Sequence, residues 1–212
     1  MGWSSANAQS IDSSKFEVEI LKLFPPVPND TFLLYSDESK SYSDTTNSPF
    51  KGVEIPQRFH AFLSLSNLTL YHTENTVYSC YQFPIDEHHT GLICRDYHGE
   101  VYAYELFVLV WNHTTHRFAG DHQVAESAGT MDAGSWEIAT WLITNTNQPP
   151  QYYSYQHSCH SDSDMESEPT EDDCHSTFSH SYIKGPDQLD SGRKEEHTTN
   201  IINYLLSAFP LY

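Results

Sequence analysis

Short apolar runs, separated by clusters of Gly, Pro, Asn and Asp, dominate the chain from Lys15 to Thr144. Phe16, Val18 and Ile20 alternate with Glu17 and Glu19, the period-two pattern of a half-buried strand. The phase slips at Leu21 and Leu23, and Pro25, Pro26 and Pro28 stop the segment. Thr31 to Tyr35 predicts a second strand, and residues 36–52 a long polar loop. Phe59, Ala61, Leu63 and Leu65 share one face, and Leu68, Leu70 and Tyr71 follow a Ser66-Asn67 turn. Thr76–Phe83, Gly91–Arg95, Val101–Trp111, Arg117–Glu126 and Trp136–Thr144 complete the set. In the longest of these, Phe107, Val108, Leu109 and Val110 are consecutive, which predicts cover on both faces.

Short strands at roughly 8–12-residue spacing predict an all-β fold, an antiparallel sandwich or barrel of about eight short strands. No helical period competes between residues 15 and 144, and no internal repeat of fixed length is present. Beyond Gln148 the aliphatic residues thin out, and from residue 149 onward there are 11 acidic and 3 basic side chains. A stretch such as SDSDMESEPTEDD buries too little surface to offset chain entropy. The expected organisation is therefore a flexible segment at 1–14, an all-β domain at 15–148, a disordered acidic Ser/His-rich tail at 149–199, and a short apolar helical segment at 200–212. In the last, Ile201, Ile202, Leu205, Leu206 and Phe209 fall on one helical face.

Charge narrows the partners. Aspartate plus glutamate total 29 against 10 lysines and arginines, a formal charge of -19. That field repels nucleic acids and anionic membrane surfaces and attracts cations. No stretch approaches the roughly 20 apolar residues of a membrane-spanning helix. The N-terminus lacks the basic and apolar regions of a secretory signal, so the cytoplasm is the default expectation. A bridge between Cys80 and Cys94 would instead place the protein outside the cytoplasm.

Those two cysteines flank YQFPIDEHHTGLI, and a hairpin centred near Glu87 would set them face to face, which makes them the disulfide candidate. His88 and His89 would add imidazoles for a metal, but the spacing matches no zinc-finger pattern. A second Cys/His group, His157, Cys159, His160, Cys174, His175 and His180, has the ligand types for a soft divalent ion. His113, His116 and His122 follow the strongest strand. Three histidines can hold catalytic zinc and leave one position for water, so zinc is the one cofactor considered. Neither H-E-x-x-H nor G-x-S-x-G is present.

Glu105 interrupts an apolar run, and a buried carboxyl there would be a candidate acid or base, as would His116. Aromatic residues make up 14% of the chain, and Tyr97, Tyr102 and Trp111 are candidate ligand contacts on a sheet face. The leading functional expectation is a non-enzymatic binding or interaction module presenting an aromatic surface to a protein or carbohydrate. The alternative is a metal-dependent hydrolase built on His113, His116 and His122.

Overall fold

The computed structural model describes residues 13–36, 49–59, 76–97, 104–130, 134–144, 148–159, 174–185, 188–190 and Ser207. Among the described residues the fold is all-β and antiparallel, in two sheets with one short α-helix of several residues. Strands β2 (Val53–Glu54), β3 (Thr76–Pro84), β4 (His89–Tyr97) and β5 (Tyr104–Asn112) form the first sheet in that order. Strand β6 (Arg117–Thr130) belongs to both sheets. Residues 117–125 pair with β5, and residues 126–130 pair with β7 (Gly134–Ile143). Beyond β7 lie β8 (Gln151–Cys159), β9 (Cys174–Gly185) and β10 (Gln188–Asp190).

Strand β7 shares one of its edges between two partners, β6 along residues 134–138 and β1 (Thr31–Leu34) along 140–143. The chain leading into β1 reaches back to the first sheet. Val27 N donates to Gln82 O at 3.0 Å, and Gln82 N donates to Pro25 O at 2.8 Å. Residues 25–34 therefore lace β3 to β7, and the inner faces of both sheets enclose one core. It contains Leu34, Phe83, Ile93, Leu106, Val108, Val110, Val124, Leu142 and Tyr152.

Residues 16–20 are not a strand. Ser13–Leu21 forms helix α1, which packs on the outer face of β3–β5. The period-two reading selected Phe16, Val18 and Ile20, but Val18 is 56% exposed while Ile20 is fully buried. The sheet-facing positions are instead Glu17, Ile20, Leu21 and Phe24, the i, i+3, i+4, i+7 spacing of a helix and the turn that follows it. The proline pair at 25–26 then ends the helical segment.

Each side chain from Leu106 to Trp111 is buried. Leu106, Val108 and Val110 enter the inner core, while Phe107, Leu109 and Trp111 lie under α1 and the Ile55/Phe59 segment. The cover predicted for both faces of this run is thus supplied by the opposing sheet and by the helix.

The stretch read as a disordered tail contributes β8, β9 and β10. Its count of aliphatic residues underrated tyrosine and phenylalanine, which favour strands and bury large ring areas. Tyr152 joins the inner core, and Tyr153 packs with Trp141, Leu33 and Ile143 on the outer face. Phe59 ends a short 3-10 turn at Gln57–Phe59 and is buried, while the rest of the expected strands at 59–71 and the helix at 200–212 lie outside the described residues, Ser207 excepted. No helix among the described residues is long and apolar enough to cross a membrane.

Gly91 faces the ring of Phe83 so closely that a Cβ there would overlap the ring carbons. Phe83 is 1% exposed and cannot swing away. Gly91→Ala should destabilise the protein by about 1–3 kcal/mol. Urea denaturation should show that Phe83→Leu recovers part of this loss in the double variant.

Candidate functional site

Two groups of polar side chains stand out. The first lies where the β3–β4 and β5–β6 turns meet α1. Asn112 ends β5, and its Oδ1 accepts hydrogen bonds from Thr114 N and Thr115 N, both at 2.9 Å. This Asx-turn sets the tip of the hairpin, and His116 takes a left-handed backbone, φ 52°. The Asn112 amide also donates to His89 Nε2 at 2.9 Å. The His89 proton therefore sits on Nδ1 and faces the Asp86 carboxylate at 2.8 and 2.9 Å.

Glu17 reaches from α1 into the same corner. One carboxylate oxygen accepts from His113 Nδ1, and the other from His116 Nδ1 at 2.6 Å. Thr90 Oγ1 lies 2.8 Å from His113 Nε2. Burial would raise the Glu17 pKa, but hydrogen bonds from His113, His116 and Trp111 outweigh it and hold the carboxyl below its ordinary value. Asp86 follows the same pattern, with burial opposed chiefly by its bond to His89.

Among the described residues, this corner is not where three metal-ligating side chains converge; it works as a clamp. Both Nδ1 atoms are turned to the Glu17 carboxylate. His122, the third histidine of the expected triad, pairs with Val108 and follows the inward face of β6 with Val124. The three imidazoles do not converge, because turn residues and an inward strand residue sit on different sides of the sheet. His122 Nε2 is buried without a hydrogen-bond partner among the described residues, and burial pushes its pKa down.

The other sequence candidates are also redistributed. Trp111 is fully buried under α1, so it is core and not a ligand contact. Tyr97 closes β4 opposite Tyr104, its side chain outside the described set, and Tyr102 lies outside the described residues altogether. Glu105 is half-buried, pairs in register with Asp96, and has its own interactions.

Cys80 and Cys94 are free and unbridged. A bulge between Ser79 and Tyr81 places Cys80 out of register, so Cys94 pairs with Ser79. Cys80 enters the inner core and Cys94 the outer one, on opposite faces of the sheet. Burial pushes the Cys80 thiol up to about 12 and the Cys94 thiol well above its ordinary value, so both are inert. The bridge is instead Cys159–Cys174, directly paired across β8 and β9 with Cα atoms 4.1 Å apart. The sequence signal for it was the Tyr/Ser/His alternation on either side, which predicts paired strands once tyrosine is counted as core.

The second group lies on the outer face of β8 and β9. Tyr153, Tyr155, His157 and Cys159 alternate along β8, and Cys174, Ser176, Phe178, His180 and Tyr182 alternate opposite them. Tyr153 and His180 stack at 4.3 Å with planes 7° apart, and Tyr155 meets Phe178 at 5.1 Å. Phe178 is 40% exposed, and Tyr155, His157, His180 and Tyr182 are half-buried. No protein-family model matches the chain, and no curated protein or solved structure matches it significantly.

Two outcomes follow. Glu17→Gln should cost about 1–2 kcal/mol at neutral pH, because charge-assisted hydrogen bonds are lost. A carboxylate with a depressed folded pKa stabilises above its unfolded value, near 4.3, and loses that contribution as pH falls through the folded pKa. The gap between the two proteins in urea denaturation should therefore close on acidification. Digestion without reductant at Glu166, Glu168 and Glu171 should leave a cross-linked Cys159–Cys174 peptide pair, with Cys80 and Cys94 alkylated only after unfolding.

Proposed function

We propose that the protein is a non-enzymatic binding module whose ligand surface is the aromatic strip on the outer face of β8 and β9. The carrying observation is the run of half-exposed rings, Tyr155, Phe178, His180 and Tyr182, interleaved with His157 and the Ser176 hydroxyl. Rings give apolar area at low entropy cost, and hydroxyls and imidazoles beside them supply directional hydrogen bonds. An overall charge of -19 disfavours polyanionic ligands. Uncharged saccharide is the ligand class that suits this mixture of ring edges and hydroxyls.

Calorimetric titration with a panel of uncharged oligosaccharides tests the reading. Tyr155→Ser and Phe178→Ser should each weaken binding about tenfold, the equivalent of roughly 1.4 kcal/mol, while both variants still unfold cooperatively in urea. Failure of every saccharide to bind, or binding that both substitutions leave intact, overturns it.

A further inference from the structure

Among the described residues, three metal-ligating side chains converge in one place, at the Cys159–Cys174 end of β8 and β9. His157 and Cys159 are two residues apart on β8 and share a face. Cys174 pairs directly with Cys159, and Ser176 directly with His157. The ligand atoms of His157, Cys159 and Cys174 lie within 4.8 Å of one another. His157 Nε2 is 3.2 Å from Cys159 Sγ, and His157 Nδ1 is 2.9 Å from Ser176 Oγ. With Ser176 accepting from Nδ1–H, the Nε2 lone pair faces the sulfurs. That is the tautomer and outer partner of a metal-bound imidazole.

We propose that reduction of the Cys159–Cys174 bridge converts this corner into a site for a soft divalent cation, best fitted by zinc, with Cys159, Cys174 and His157 as its protein ligands. Ligand atoms around tetrahedral zinc stand roughly 3.3–3.8 Å apart, given bonds of about 2.0–2.3 Å. The His157–Cys159 separation is already close to this, and two freed sulfurs reach it by side-chain rotation. The fourth position falls to water, beside Glu137, the register partner of His157 on β7. The site is accessible, since His157 and Cys174 are only half-buried.

The chemistry balances. A dithiol reductant gives two electrons and two protons to the bridge and becomes a disulfide itself, leaving Cys159 and Cys174 as thiols. The cation then displaces both thiol protons to solvent as two sulfur–metal bonds and one nitrogen–metal bond form, with no further change of oxidation state. In an oxidising compartment the bridge persists, and in a reducing one the cation takes its place. This inference does not depend on the saccharide reading.

The full chain is titrated with Co²⁺ alone, once with the bridge intact and once after reduction by a phosphine that is then removed under argon. The reduced chain should bind Co²⁺ stoichiometrically, with the visible bands of a tetrahedral site and near-ultraviolet thiolate-to-cobalt charge transfer. Zn²⁺ should displace it, because d¹⁰ zinc, unlike Co²⁺, loses no ligand-field stabilisation in a tetrahedral thiolate site. The oxidised chain should show neither signal. His157→Gln leaves the bridge intact and should weaken binding by more than about tenfold, and Ser176→Ala by about tenfold. Cys159→Ser with Cys174→Ser should abolish the charge transfer. No charge transfer in the reduced chain, equal binding by the oxidised chain, or unchanged affinity in His157→Gln overturns the assignment.

Discussion

The burial of β5 on both faces organises the rest of the molecule. From Leu106 to Trp111 no side chain faces water, and each such residue is worth roughly 1.5–3 kcal/mol over exposure. A strand buried on both faces needs a second sheet on one side and a separate cover on the other. The second sheet arrives because β6 is long enough to leave β5 and pair with β7. The cover is α1, whose Ile20 and the following Phe24 meet Phe107, Leu109 and Trp111. A one-residue slip of β5 would exchange its two faces and mismatch both partners, so its register is strongly specified.

The histidine corner is a consequence of that arrangement. A single short helix on a sheet is held by a narrow apolar stripe, and helices of its length are marginal alone. Glu17 adds directional bonds to His113 and His116 in a turn shaped by Asn112. Asp86, His89 and Asn112 join the neighbouring turn to the same corner. Polar groups that suggested catalysis when read as a list act together as a tether between helix and sheet.

The far sheet is stabilised differently. Its outer strands are rich in Ser, His and Tyr, and the outer-face cluster around Trp141 and Tyr153 is small. A cross-link between strands compensates, since closing a loop of this length constrains the unfolded chain by about 3 kcal/mol. The result is a strand pair with half-exposed rings at its middle and sulfur chemistry at one end. The proposed binding surface and the proposed redox-sensitive corner share one face because residues two apart on paired strands must do so.

The all-β class, the strands from Thr76 to Thr144 and the double-sided burial of Phe107–Val110 were legible in the sequence, because strand periodicity and continuous apolar runs are local properties. The helix at Ser13–Leu21 was not. Its alternation of Phe, Val and Ile with glutamate fits a strand locally, and only the sheet waiting to be covered selects the helical face through Ile20 and Phe24. The cysteine pairing was equally out of reach, since one bulged residue at Cys80 moves its side chain to the opposite face from Cys94. The partners of His113, His116 and His157 depend on residues 96, 99 and 19 positions away along the chain. Periodicity along a chain sets which residues want burial, whereas register between strands and the packing of distant elements decide which polar atoms meet.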